Sequence, residues 1–391
     1  MLQTHLPRKI LFGEDSLDFL ASLDVRRVVT FVDEIFDRCN PDLMERMESL
    51  WKEKGVQCWR YFGEGKEPTL AFVKDRARCL IEHEPDLIVA VGGGSVIDAV
   101  KVMEVYYEHP HITDAELFDR FNLPPLRRKA RFVAIPTTSG TGSEVTPIGV
   151  LCVPSEDPRT PLVKRGIADY QLIPDYVLLD PRFTLSMPPS VTVSTAIDAF
   201  VHAMEAYVCA RPKNAFTDPF ALEGMRKVLS YLPKVMEDPG DLRYRGELQI
   251  AATLGGLALA GRGSGASHGV GKQLSSLGPV AHGVSVAVML EAVIRLNAGA
   301  RLAEYAEIAR YLGLAAVSDE GALEGLIALW RELLDRLGLP RTIEQLGMDR
   351  ALFMEKLDSM TKNAMSDAAM RSNPVTPSYD EVRRIFLTLA P

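Results

Sequence analysis

Residues 86–101 read Asp86-Leu87-Ile88-Val89-Ala90-Val91-Gly92-Gly93-Gly94-Ser95-Val96-Ile97-Asp98-Ala99-Val100-Lys101. The first six are almost all apolar, which predicts a central parallel strand covered on both faces. Three glycines then lead into a helical segment, and this order brings bare N–H groups and a positive helix end up to a phosphate. We therefore predict an α/β domain that binds phosphate at the turn Gly92-Gly93-Gly94. A tight turn without a ligand is the alternative, because the Gly-x-Gly-x-x-Gly dinucleotide fingerprint is absent. Asp98 also fits a Ser-x-x-Asp helix cap.

Two further strand ends carry polar residues suited to a dinucleotide. A predicted strand at 131–135 runs into Pro136-Thr137-Thr138-Ser139-Gly140-Thr141-Gly142-Ser143-Glu144, whose hydroxyls and glycines suit a pyrophosphate or a ribose. Asp33 ends a predicted strand at 25–32, where a carboxylate accepts hydrogen bonds from both ribose hydroxyls and repels a 2′-phosphate. Asp33 therefore favours NAD over NADP, although an Asp in an ordinary turn would look the same.

The chain divides into two parts by the pattern of its apolar residues. Short β-branched runs alternate with helical segments up to residue 182, which predicts a parallel α/β layer. The segments 149–153 and 162–167 are predicted to form a hairpin. After Met187-Pro188-Pro189-Ser190 only helical periodicity remains. We predict a Rossmann-like dinucleotide-binding domain over residues 1–183 and an all-helical domain over 184–391, with a ligand cleft between them.

Composition restricts the function classes. The 391 residues are 47% hydrophobic and 25% charged, with a formal net charge of −8 and no basic block. This disfavours nucleic acid or an anionic membrane surface as the partner. The five cysteines form no Cys-x-x-Cys pair, which argues against a disulfide framework or a thiolate zinc site and suits a reducing cytoplasm. No secretory signal and no apolar run of about 18 residues is visible, so no membrane span is expected.

A helical stretch in the second part, Asp198-Ala199-Phe200-Val201-His202-Ala203-Met204-Glu205-Ala206-Tyr207, carries a candidate metal pair. Asp198 and His202 are four residues apart and leave one face of a helix, so they can share one cation. A simple Asp–His hydrogen bond is the more common meaning of this spacing. Two later segments, around His268 and His282, each present a His among small residues.

These motifs, in this order, resemble iron-containing (group III) alcohol dehydrogenases over nearly the whole chain, including Asn373-Pro374. The resemblance implies a dehydroquinate synthase-like architecture, NAD-dependent alcohol/aldehyde interconversion and a homodimer. It implies a metal, Fe²⁺ or Zn²⁺, held by Asp198, His202, His268 and His282. The cofactor-lining residues that it implies, together with Asp98, are Asp33, Pro68, Thr69, Gly93, Gly94, Ser95, Thr137, Thr138, Thr141 and Lys164.

The chain departs from the family pattern at two cationic residues. Lys272 stands where most members carry a second His, and Arg262 where the family usually has a small residue. We predict that Lys272 takes over a proton-relay role, and that Arg262 and Lys272 form a cationic end of the substrate pocket. Such a pocket would select an aldehyde or alcohol with an anionic tail, such as a carboxylate, sulfonate or phosphonate. In the alternative, Arg262 faces solvent and Lys272 contacts the cofactor pyrophosphate.

Other functions share parts of this pattern. One is a simple primary alcohol or diol dehydrogenase of the same family. A second is a dehydroquinate synthase-like lyase, which binds NAD and a metal without net redox change; its metal ligands usually include a Glu, whereas this chain offers Asp198 and His202. A third is a non-catalytic NAD-binding or filament-forming protein, which the presence of all four candidate ligands disfavours.

Overall fold

The computed structural model describes residues 3–65, 67–155 and 162–390. The strands in these residues are β1 (Lys9–Phe12), β2 (Arg27–Val32), β3 (Gln57–Phe62), β4 (Leu87–Gly92), β5 (Arg131–Pro136), β6 (Ile148–Pro154), β7 (Leu162–Ala168) and β8 (Tyr176–Leu179). The helices of the first part are α1 (Glu34–Cys39), α2 (Pro41–Lys52), α3 (Leu70–His83), α4 (Gly94–Glu108) and α5 (Asp114–Leu117).

Six of the described strands form one parallel sheet in the order β1-β8-β5-β4-β2-β3. Successive strand residues point to opposite faces. In β4, Ile88 and Ala90 pack in the core that contains α3 and α4, whereas Leu87, Val89 and Val91 pack in the core that contains α1 and α2. Every residue of β4 is buried, as expected of a central strand covered on both faces. The predicted parallel α/β layer is confirmed.

The connections reverse direction beside β4. The chain leaves β2 for β3 on one side and returns to β4 on the other, so β2 and β4 are neighbours at a topological switch point. In open α/β sheets, ligands bind at the carboxyl ends of the strands on either side of such a point. The strands β6 and β7 form a separate antiparallel pair, as predicted for the hairpin. Its connecting residues 156–161 lie outside the described residues.

The remaining described part is mainly helical, as predicted. Its helices are α6 (Pro189–Val208), α7 (Asp218–Glu237), α8 (Leu242–Arg262), α9 (Ala266–Gly271), α10 (His282–Tyr311), α11 (Asp319–Arg336), α12 (Arg350–Ser366) and α13 (Tyr379–Leu387). Helix α10 is long and apolar enough to cross a membrane by length and composition alone. Half of its most apolar segment is buried in the structure. The core helix of a soluble protein can have the same length and composition. Its backbone departs from helical geometry at Arg301.

The chain forms two compact units. One contains His5–Met187 and Gly240–Ile250, and the other contains Pro188–Pro239 and the chain from Ala251 onward. The first break therefore lies in the Met187-Pro188-Pro189 segment, close to the predicted limit at 183/184. The segment Gly240–Ile250, which includes the start of α8, groups with the sheet unit, and the prediction of two uninterrupted domains did not foresee this.

Candidate metal centre

Helix α6 supplies a face of acidic and imidazole side chains. Pro189 opens the helix at its first position, where proline fits because no intrahelical N–H bond is required there. Asp198, His202 and Glu205 follow at spacings of four and three residues, so they lie on one face. All three are buried, with 3–8% of each residue exposed. Burial of polar groups is costly unless they are paired, so this face requires partners.

The partners are His268 on α9 and His282 at the start of α10. Asp198 Oδ1 lies 3.3 Å from His268 Nε2 and 3.7 Å from His282 Nε2. One ligand atom from each of Asp198, His268 and His282 lies within 4.8 Å of the others, close enough for a single cation. The structure thus brings together three of the four predicted ligands, drawn from three separate helices.

His202 lies beside this trio. Its ring stacks on that of His268, with centroids 4.4 Å apart and planes 12° apart. Its Nδ1 is 3.8 Å from Asp198 Oδ2. His202 is therefore adjacent to the cluster, although it is not among the three residues whose ligand atoms converge.

Several buried atoms of this cluster make no hydrogen bond. They are Asp198 Oδ1, His202 Nδ1 and His268 Nε2. A buried polar atom without a partner costs roughly 1–3 kcal/mol, so three such atoms in one cluster are unfavourable unless something binds there. One carboxylate with imidazole nitrogens and no sulfur is a donor set that suits Fe²⁺ and Zn²⁺. The residues present therefore fit the metal that the sequence predicts.

The electrostatics of the cluster favour a cation. Burial alone would raise the pKa of Asp198, but the neighbouring imidazoles hold it well below its usual range. Burial lowers the pKa of His202 to about 4. Burial also acts to lower the pKa of His268, but Glu205 and Asp198 outweigh it and raise that pKa to about 9. Asp198 is thus ionised and His202 neutral near pH 7, the states in which these groups bind a metal, whereas His268 with its raised pKa must release a proton when a metal binds.

Small residues allow the helices to approach closely. Gly283 directly follows His282, and a Cβ at this position would lie 1.7 Å from the carbonyl oxygen of Ser194 on α6. Only glycine fits there, so Gly283 lets the start of α10, with His282, pack against the helix that carries Asp198. The small residues around His282 noted in the sequence have this physical role.

Glu205 is a functional candidate that the sequence analysis did not single out. Its Oε2 accepts from the backbone N–H of Gly265 (2.7 Å) and lies 2.6 Å from His268 Nδ1. Its Oε1 accepts from the backbone N–H of Ser267 at 2.6 Å. Its place on the same helical face as Asp198 and His202 was the signal that could have identified it.

Arg262 is buried and does not face solvent. The residue is 3% exposed. Its guanidinium donates to the carbonyl oxygens of Ala206 (3.0 Å), Tyr207 (3.1 Å) and Pro212, and it lies 3.6 Å from Asp218. The solvent-facing reading made from the sequence is therefore wrong, and the substrate-pocket reading stays a prediction. Arg262 binds the carboxyl-terminal end of α6, where helix carbonyls lack intrahelical partners and favour a cation.

Lys272 is paired with an acid of its own unit. Its Nζ lies 3.2 Å and 3.3 Å from the two carboxylate oxygens of Asp367. Asp367 also accepts from the backbone N–H of Ala369 at 2.8 Å. The positive charge of Lys272 is therefore balanced by Asp367, and its predicted relay role stays a prediction.

The predicted phosphate turn lies at the carboxyl end of β4. Gly93 precedes α4 in an extended conformation, and a Cβ on it would lie 3.2 Å from the Thr138 methyl group. A Cβ on Gly94 would lie 2.8 Å from the Thr141 side chain. The two polar loops thus pack directly on each other because glycine leaves the space. Thr137 follows β5 and donates its N–H to Gly92 at 3.1 Å.

Asp33 lies at the same edge. Its N–H donates to Val91 at 2.9 Å, which places it beside β4 at the switch point. Its Oδ1 accepts from the N–H of Phe36 at 2.8 Å and caps α1. The ordinary turn role is therefore present, and Asp33 also stands at the position where a dinucleotide ribose is expected.

Asp98 does not cap α4. The residue before that helix is Gly93, and no side chain caps it. The carboxylate of Asp98 instead accepts from Ser143 Oγ and, at 3.0 Å, from the N–H of Val150. The prediction of a capping role is wrong. Asp98 thus ties α4 to the second polar loop and to β6, and its contact with a cofactor stays a prediction.

The other predicted cofactor residues are spread over the sheet unit. Ser95 is exposed in the first turn of α4. Thr69 caps α3 through Phe72, and Pro68 accepts from the N–H of Cys152 at 2.8 Å. Lys164 is exposed on β7 and pairs with Glu67. These residues have structural partners of their own, and their contact with a cofactor stays a prediction.

Comparisons with known proteins cover both units. A model described as iron-containing alcohol dehydrogenase matches residues 7–181, and one described as the C-terminal part of the Fe-containing alcohol dehydrogenase family matches residues 192–390. The chain is 34% identical to an NADPH-dependent butanol dehydrogenase of Clostridium saccharobutylicum, with 99% of this chain and 97% of that protein aligned. It is 33% identical to the bifunctional aldehyde-alcohol dehydrogenase AdhE of Escherichia coli (strain K12), covering 99% of this chain and 46% of that longer protein. Among solved structures, iron-containing alcohol dehydrogenase from Thermococcus thioreducens has a TM-score of 0.88 at 32% identity, covering 99% of both chains.

Proposed function

The chain belongs to the iron-containing alcohol dehydrogenase family, and we propose that it interconverts a small uncharged primary alcohol and its aldehyde with NAD(H). The observation that carries this proposal is the convergence of ligand atoms of Asp198, His268 and His282 at one point, where Asp198 Oδ1 and His268 Nε2 are buried without a hydrogen-bond partner. A metal centre with no thiolate ligand is the site at which such a reaction polarises a carbonyl.

The chain's own residues have distinct tasks in this reaction. Asp198, His202, His268 and His282 would hold the metal, which supplies Lewis-acid polarisation of the substrate oxygen worth several kcal/mol. Asp198 contributes the negative charge, since its pKa is held low by the imidazoles around it. The aliphatic and small residues of α9 and α10 keep Asp198, His202 and His268 in a buried setting, where electrostatic interactions are stronger than in water, whereas the His282 side chain is 40% exposed. The nicotinamide would carry the hydride.

For the cofactor we propose NAD rather than NADP. Asp33 stands at the end of β2 beside the glycine turn, and a carboxylate there accepts from ribose hydroxyls and repels a 2′-phosphate. The glycines at 93 and 94 leave backbone N–H groups accessible at the start of α4, where the helix dipole favours a pyrophosphate. The butanol dehydrogenase relative is named for NADPH, so coenzyme preference has to be measured for this chain.

For the substrate we propose no anionic tail. Arg262 is occupied by backbone carbonyls, and Lys272 is balanced by Asp367. The cationic pocket predicted from these residues would therefore require an anion to compete with contacts inside the chain. An uncharged alcohol does not have to displace these contacts. The proposed substrate class therefore differs from that of a sulfo-, phosphono- or carboxy-aldehyde reductase.

The test uses the full chain, stripped of metal and reloaded without oxygen with Fe²⁺ or Zn²⁺. We expect aldehyde-dependent NADH oxidation only after reloading, with uncharged aldehydes turned over better than carboxylated or sulfonated ones. Stoichiometric NADH formation from an alcohol separates this function from a dehydroquinate synthase-like lyase, which shows no net redox change. Equal activity in the metal-free and reloaded protein would contradict the metal centre, and preference for an anionic aldehyde would contradict the substrate class.

Assembly and location are also part of the proposal. We propose a cytoplasmic homodimer, supported by family membership and by the scattered cysteines. Light scattering on the metal-loaded protein should give twice the mass of one chain. A monomeric mass at micromolar concentration would contradict the dimer without affecting the dehydrogenase assignment.

A further inference from the structure

Glu205 makes contacts that go beyond a simple buried ion pair. It is 3% exposed. Its two carboxylate oxygens accept hydrogen bonds from the backbone N–H groups of Gly265 and Ser267, and one of them faces His268 Nδ1. The three distances are 2.6–2.7 Å, which is typical of charge-assisted hydrogen bonds. Each of these contacts joins α6 to the segment that carries His268.

The contact with Nδ1 determines which nitrogen of His268 is available for the metal. A carboxylate only accepts, so Nδ1 must carry the proton that it donates to Glu205. In the neutral ring that metal binding requires, the lone pair then lies on Nε2, the atom that faces Asp198 Oδ1 at 3.3 Å and has no hydrogen-bond partner. The carboxylate therefore determines the tautomer in which His268 can act as a ligand.

The contacts with backbone N–H groups determine where that nitrogen lies. Helix α9 is short. The residue that precedes it, Gly265, has no side chain that could cap the free N–H groups at the start of the helix. Glu205 instead accepts hydrogen bonds from the backbone N–H groups of Gly265 and Ser267, the residues on either side of the first helical residue. A Cβ at Gly265 would lie 3.1 Å from the Glu205 carboxylate, so glycine permits this close approach.

We infer that Glu205 is a positioning residue of the metal centre, which selects the tautomer of His268 and fixes the start of α9 relative to Asp198. The inference rests on the proposed metal function. It assigns to Glu205 a role in metal affinity that is separate from its contribution to folding. Asn373 offers a matched comparison, because its Oδ1 accepts from the N–H of Ala266 at 3.1 Å without touching His268.

The experiment compares Glu205→Gln with Asn373→Ala in the full chain. Zn²⁺ is titrated into each metal-free protein in competition with a chromophoric chelator. The amide of Glu205→Gln keeps the shape but cannot accept from all three donors, so we expect Zn²⁺ affinity to fall about 10–100-fold, the usual effect of losing such a partner. Asn373→Ala also loosens α9, but we expect its loss of affinity to stay below about tenfold.

A spectroscopic measurement separates positioning from general destabilisation. Co²⁺ is bound in place of Zn²⁺, and its visible absorption reports the geometry of the ligands. We expect altered bands in Glu205→Gln and bands like those of the unaltered chain in Asn373→Ala, even where thermal melting shows similar losses of stability. Equal affinities or unchanged bands in Glu205→Gln would overturn the inference. If the unaltered chain itself binds neither Zn²⁺ nor Co²⁺, the proposed metal function fails instead.

Discussion

The carboxyl-terminal end of the metal-ligand helix is held by two arginines, and this gives a quantitative prediction. Arg262 donates to the carbonyls of Ala206 and Tyr207, and Arg301 donates to those of Val208 (3.1 Å) and Cys209 (3.2 Å). The last carbonyls of a helix lack intrahelical partners, and positive charge there is favourable. We therefore expect Arg262→Ala to destabilise the helical unit.

The size of the effect follows from the contacts. Arg262 makes three hydrogen bonds to carbonyl oxygens while 3% exposed. Bonds to charged groups contribute about 1.5–3 kcal/mol each, and neighbouring contributions are not additive, so the loss should be about 4 kcal/mol. For a unit of roughly 200 residues, about 2–4 °C per kcal/mol gives a melting temperature lowered by roughly 8–16 °C. Asp218, which is also buried, would lose its nearby cation and add to the cost.

The assay is differential scanning calorimetry of the metal-free chain, with Arg226→Ala as the matched control. Arg226 lies on α7, and its side chain is 46% exposed and paired with Glu223, so its removal should cost at most about 1 kcal/mol. Turnover of neutral and anionic aldehydes is measured in parallel. If Arg262→Ala melts within about 2 °C of the unaltered chain while its KM for anionic aldehydes alone rises, Arg262 is a substrate residue and the structural reading is refuted.

Three further substitutions test the two units separately. Asp33→Asn keeps a side chain that can cap α1 but removes the charge, so kcat/KM for NADPH should rise roughly tenfold relative to NADH; an unchanged ratio would exclude Asp33 from coenzyme choice. Gly283→Ala places a Cβ 1.7 Å from the carbonyl oxygen of Ser194, so Zn²⁺ affinity and melting temperature should both fall. The control is Gly299→Ala in the same helix, where the added Cβ meets nothing within 4 Å and the melting temperature should rise slightly. Burial lowers the pKa of Lys101 from 10.5 to about 8. Between these two pH values the unfolded chain still holds a proton that the folded chain has released, so the free energy of unfolding rises with pH. Lys101→Met should lack this rise in melts recorded from about pH 7 to about pH 10, and identical pH profiles would contradict it.

The sheet was predictable because its information is local. Apart from Arg27, Thr30 and Arg131, the residues of strands β2, β4 and β5 are apolar, and the burial of these strands on both faces matches that composition. The edge strand β1 was missed because it has only four residues, of which none is fully buried. The sequence predicts two helices at 283–297 and 301–312, and the non-helical backbone of α10 at Arg301 confirms the break between them. The sequence thus indicates the segment type where burial or periodicity is strong, and it fails where burial is partial, as in β1.

The contacts of Arg262 could not be predicted, because charge alone does not say what a side chain contacts. An arginine next to small residues and near candidate ligands is compatible with a substrate anion, with solvent or with a helix end. The choice depends on where α6 ends relative to α8, which is tertiary information. The same applies to Asp98, whose spacing from Ser95 fits a cap although Ser143 and Val150 provide its actual partners.

Helix α9 shows why the metal centre could be only half derived from the sequence. Asp198 and His202 share a helix, so their spacing alone places them on one face. His268 lies on a six-residue helix with two glycines, Ala-Ser-His-Gly-Val-Gly, which local propensity disfavours. That helix is stabilised by remote acceptors: Glu205, 60 residues from Gly265, and Asn373, 107 residues from Ala266. The contacts that let α9 form are thus also the contacts that aim His268 at Asp198, so neither could be predicted without the other.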